Sequence, residues 1–96
     1  MIATATYLER RGASLRALDQ EITWLTNYAE LATAEVAARY GDAIRGLRAT
    51  RDEAARRLRE LRAVSGNAWD VQEAMNDVEE AWNDLRNALR EAISTL

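Results

Sequence analysis

The sequence predicts an all-α fold, and three observations predict it. The 96 residues include no proline, so nothing breaks a helix from within. The strong helix formers Ala, Leu, Arg and Glu dominate, with 19 alanines among them. Period-two runs of β-branched and aromatic residues, the mark of a strand, are absent. The expected architecture is a long first helix and a shorter antiparallel second helix forming a helical hairpin. An N-terminal arm completes it to a three-helix cross-section.

The first helix is predicted over about 7–64. Thr6-x-x-Glu9 fits a capping box, so the helix begins near Tyr7. The next strong stop is Ser65-Gly66, where Gly66 suits the left-handed position just past a helix end. Asn67 then suits an N-cap, and Asp70 adds a carboxylate where the free amides and the helix dipole favour it. The turn therefore occupies 65–67, and Ser65, Gly66, Asn67 and Trp69 make the hairpin corner. So short a connection joins antiparallel neighbours.

The second helix is predicted over about 68–94. Val71, Met75, Val78, Trp82, Leu85, Leu89, Ala92 and Leu96 alternate steps of four and three, a heptad seam. On the first helix Leu61, Leu58, Ala54, Arg51, Leu47, Ile44, Tyr40 and Val36 stand opposite them. One antiparallel register pairs every position, and Arg51 falls opposite Trp82. Its stem is expected to lie along the indole, with a register-setting or partner-binding charge as the alternative. Trp69 is expected to fold over the corner, or else to serve as an exposed anchor.

The second helix covers the first only back to Val36. Upstream, Leu15, Leu18, Ile22, Leu25, Ala29 and Ala32 continue the apolar stripe, and Trp24, Tyr28 and Leu31 widen it. Such an arm is too apolar to stand alone in water. It is read as a self-association arm carried by Leu15, Leu18, Ile22, Trp24, Leu25, Tyr28 and Leu31. A docking groove is read on the small-residue flank of the hairpin, at Ala43, Thr50, Ala74, Ala81 and Ala88. The other flank is polar, with Arg48, Arg62, Gln72, Glu79 and Arg86. If the first helix is continuous, the arm fills the groove of a second copy, and the assembly is a swapped antiparallel dimer. If it breaks at Gly41-Asp42, the arm folds back as a three-helix monomer. The continuous form is preferred, because a one-residue corner is tight.

The stretches "LRATRDEA" (47–54), "RLREL" (57–61), "SGNAWD" (65–70) and "EAWNDLRNAL" (80–89) resemble a widespread family of small bacterial coiled-coil proteins. Members occur in cyanobacteria and proteobacteria and are described as hypothetical or stress-related. The resemblance covers about 15–93. It implies a helical hairpin and no established activity.

Function is narrowed mainly by exclusion. With neither Cys nor His, the chain lacks a thiolate nucleophile, the usual base near neutral pH and the commonest metal ligand. Glu73, Asp77, Glu80 and Asp84 share a face of the second helix, but this reads as a solvated acidic surface, not a metal site. Arg45, Arg48, Arg56, Arg59 and Arg62 cluster on the first helix without interleaved aromatics in an acidic protein, so nucleic-acid binding is not expected. No catalytic residue, cofactor or metal is expected. The N-terminal residues lack the apolar core of a signal peptide, so the cytoplasm is the expected address. The expected function is that of a non-enzymatic coiled-coil scaffold, stress-related by its resemblance. It self-associates through its arm and recruits an unidentified protein partner. The alternative is a reversible binder of membrane or lipid-droplet surfaces using amphipathic helices.

Overall fold

A computed structural model describes residues 2–64 and 66–94. It contains three helices: α1 (Ile2–Glu30), α2 (Ala34–Ala63) and α3 (Ala68–Ser94). They pack side by side into a rod whose extents are 52 × 18 × 18 Å. Ser65 of the expected corner and Leu96 of the expected seam lie outside the described residues.

The continuous first helix over 7–64 is overturned. The chain turns at Leu31-Ala32-Thr33, not at Gly41, which sits inside α2. Two short-range bonds close the end of α1, from Leu31 N–H to the Tyr28 carbonyl and from Ala32 N–H to the Ala29 carbonyl, both 3.2 Å. Thr33 then adopts an extended backbone, φ −63° and ψ 159°, and caps α2. Its hydroxyl oxygen accepts from Val36 N–H at 3.4 Å, and its carbonyl accepts from Ala37 N–H at 2.8 Å. Glu35 adds a carboxylate to the first turn, where the helix dipole favours it. The start also differs: α1 is helical from Ile2, so Thr6 lies within the helix and does not cap it.

At the second corner α2 ends with Val64 in an extended conformation, its N–H donating to the Leu61 carbonyl at 3.2 Å. Gly66 does not take the expected left-handed conformation, since no glycine among the described residues has positive φ. The Asp70 carboxylate lies against Gly66 and would have to swing aside for a Cβ there. Asn67 caps α3, its side-chain oxygen accepting from Asp70 N–H at 3.0 Å. Trp69 does not cover the corner; it stands 75 % exposed on the first turn of α3.

Two apolar clusters hold the rod together. The larger joins Leu15, Leu18, Ile22, Leu25 and Ala29 of α1 to Tyr40, Ile44 and Leu47 of α2 and to Trp82, Leu85 and Ala92 of α3. The smaller gathers Leu58, Leu61 and Val78, with Tyr7 and Leu8 packed against them. The stripe of the arm is therefore buried within its own chain.

The position of α1 corrects the expected docking flank. α1 lies on the polar side: Arg48 donates to Thr26 at 3.0 Å, and Glu79 accepts from both Tyr7 and Arg11. The small residues serve a different purpose. Ala43 and Ala88 are half-buried against the larger cluster, and Ala74 against the smaller. Buried Ala81 lines a hollow shared by α2 and α3, and the half-buried Thr50 donates to the Leu47 carbonyl at 2.9 Å. Small side chains let α2 and α3 approach closely. The long side chains of the other flank reach across to α1 and bond it.

Candidate interaction surface

Between α1 and α3 the helices leave an open apolar channel. At one level Ala17 and Leu18 of α1 face Leu85 and Leu89 of α3, with the Trp82 ring behind them. Further along, Trp24 and Leu25 face Leu89 and Ile93. The rims carry opposite charges: Glu21 on α1 and Arg86 on α3, lining the same hollow. Neither makes an ion pair among the described residues, although the Arg86 charge acts at longer range on the Glu79 carboxylate.

The channel opens onto an exposed apolar end. Trp24 is 59 % exposed, Leu31 88 % and Ile93 49 %, with Tyr28 nearly half exposed. The Trp24 and Tyr28 rings stack at 5.5 Å, and Tyr28 meets the buried Tyr40 edge-on at 5.8 Å. The ladder fixes two large exposed rings to the core, so they stand as a preorganised surface.

The seven arm residues thus divide. Leu15, Leu18, Ile22 and Leu25 are buried in the chain's own core, whereas Trp24, Tyr28 and Leu31 face solvent. Sequence reasoning missed Ala17, Glu21, Arg86 and Ile93. Ala17, Glu21 and Trp24 recur at helical spacing beside the main stripe, and that second row was the available signal.

Arg51 does not lie along the Trp82 indole and instead matches the register-setting alternative. It forms a two-pronged bond with Asp19 of α1, Nε to Oδ1 at 2.8 Å and Nη2 to Oδ2 at 2.9 Å. A planar guanidinium gripping a carboxylate fixes the register of α1 on α2. The cation above the Trp82 ring is Arg11, 4.8 Å from its centroid, an attraction worth about 0.5–2 kcal/mol.

Arg11 also binds Glu79 through both carboxylate oxygens, at 2.6 and 2.8 Å, and the Tyr7 hydroxyl donates to the same carboxylate. The Tyr7 bond first, and the Arg11 bond second, hold the Glu79 carboxyl below its ordinary value. Burial above all, then the bond to Glu79, pushes the Tyr7 hydroxyl up. A lowered carboxyl stabilises the fold above its ordinary value of 4.5, and that contribution disappears as the pH falls through the lowered value. A raised phenol stabilises below its ordinary value of 10.0 and is lost as the pH rises past it. Chemical denaturation from pH 7 to 3 should therefore show Glu79→Gln losing less stability than the wild type below about pH 4.5. Glu53, lowered by its bond to Arg56, leaves part of the acid limb in place. Equal slopes for the two proteins would contradict the assignment.

Some of the remaining charged groups pair with one another on the surface. Asp77 lies 3.9 Å from Arg57, and no acidic cluster among the described residues is arranged to hold a metal ion. Arg45 pairs with Asp42, and Arg56 with Glu53 and Glu60. Arg59 and Arg62 join Arg16 beside a shallow hollow floored by Leu15 and Leu58. Among the described residues no helix is long and apolar enough to cross a membrane. No protein-family model, curated protein or solved structure matches the chain.

Proposed function

We propose that the protein is a non-enzymatic helical interaction module that self-associates through α1, acting as a scaffold of the stress-related kind its motifs resemble. In this reading α2 and α3 form an antiparallel hairpin and α1 is the third helix of the unit. The observation that carries it is the exposed row of Trp24, Tyr28, Leu31 and Ile93, continuous with the channel between α1 and α3. Large apolar side chains gathered at one end of so small a rod favour burial against a partner. Trp24, Tyr28 and Leu31 of this row lie on the arm already marked for self-association, and Ile93 of α3 extends it. Its exposed half remains available after its buried half is used within the chain.

Light scattering across a concentration series tests this. The wild type should approach twice its 10.8 kDa chain mass as concentration rises. Trp24→Glu combined with Leu31→Glu should hold it at the chain mass, because each carboxylate would have to be desolvated at the contact. Both positions are exposed, so the helical circular-dichroism signal should persist in the variant. A wild type that stays at 10.8 kDa at every concentration would refute self-association.

A further inference from the structure

The charges bordering the channel specify how two copies meet. We infer that the α1/α3 channel is the contact face of a parallel two-fold dimer, in which Glu21 of each copy pairs with Arg86 of the other. The inference rests on the self-association reading and adds its geometry.

Three observations lead to it. First, the channel is bordered by one helix on each side, and these helices run in the same direction. Tyr7 and Arg11 meet Glu79, Leu18 meets Leu85, and Trp24 meets Ile93, so numbers rise together along both. Second, the two rims differ in sign at one level, Glu21 on α1 and Arg86 on α3; both are exposed and neither forms an ion pair among the described residues, Arg86 acting only at longer range on Glu79. Third, a whole side of the rod is 52 Å long and 18 Å wide, so only two rods aligned along their full length reach the ~800 Å² per partner of a standard interface.

Symmetry then decides between the two ways of closing channel on channel. A two-fold axis running along the rods places α1 of one copy against α3 of the other at unchanged height. Glu21 then faces Arg86 twice, and Trp24 faces Ile93 twice, over a continuous apolar seam. An axis running across the rods at the middle of the channel, where Glu21 lines both of its levels, places α1 on α1 and α3 on α3 and brings like charges together at the rims. Juxtaposed like charges are costly at an interface, whereas complementary ones fix register. The parallel arrangement satisfies both the apolar floor and the rims. It replaces the antiparallel pairing expected from the sequence, which relied on exchanging an arm that is here packed within its own chain.

Charge reversal tests the geometry separately from association itself. Glu21→Arg alone, and Arg86→Glu alone, should each weaken dimerisation about tenfold or more by sedimentation equilibrium, since each creates two repulsive contacts. An equimolar mixture of the two variants should recover wild-type affinity, because every rim contact in the mixed dimer is again between opposite charges. Retained dimerisation by the single variants, or a mixture no tighter than its components, would overturn the parallel pairing while leaving self-association intact. A wild type monomeric up to about 1 mM would remove both.

Discussion

Leu47→Ala is expected to lower the stability of the fold by about 3 kcal/mol, within the ~2–5 kcal/mol range for buried leucines. Leu47 is fully buried, in a cluster to which α1, α2 and α3 all contribute side chains, among them Leu18, Ile44 and Leu85. Removing its three outer carbons loses their transfer energy and leaves a void that rigid neighbours close only in part. For a domain of this size the melting temperature should fall by roughly 15 °C. In urea the midpoint should drop with an unchanged slope, since the folded and unfolded surfaces differ little. Leu31→Ala is the internal control. That side chain is 88 % exposed, so in dilute solution its loss should change stability by less than about 0.5 kcal/mol. Similar losses at the two positions would contradict the division between core and surface.

The helical content and the buried stripes were legible because they depend on local spacing alone. Leu15, Leu18, Ile22, Leu25 and Ala29 repeat at helical intervals, and one side of a long helix must be covered whichever chain covers it. The cap at Asn67 was legible for the same reason: an amide side chain after Ser-Gly has a local bond to make. The corner at 31–33 was hidden by its own phase. Ala29 and Val36 stand seven residues apart, so the heptad runs through the break as if it were helix, and the corner contains neither Gly nor Pro. Only Thr33 with Glu35 behind it marked a possible start. Gly41 drew attention instead, yet helix α2 passes through it without interruption.

The choice of flank was not legible from residue size. A row of alanines looks like an empty groove, but between α2 and α3 it is the means of close approach. Arg48 and Glu79 look like solvent-facing groups until Thr26, Tyr7 and Arg11 arrive as partners. The partner of Arg51 is hidden for the same reason, because Asp19 lies 32 residues away and comes near only once α1 folds back. The functional surface depends on that placement too. Glu21 and Arg86 share a hollow only because α1 takes the polar flank.

The central claim is that α1 folds back at Leu31-Ala32-Thr33 onto its own α2 and α3. A pair of spin labels measures this directly, and the cysteine-free chain makes selective labelling simple. Cysteines introduced at the exposed positions Ala5 and Asn76 would carry the labels, and labelled chains would be diluted in excess unlabelled protein. Tyr7 and Glu79 are bonded nearby and the rod is 18 Å across, so the account predicts a distance of roughly 25 Å or less that survives dilution. In a continuous first helix the Ala5 label would stand about 80 Å from Asn76 of the same chain, at ~1.5 Å per residue. A distance that long, or a short one that vanishes on dilution, would contradict the fold and the contact face built on it.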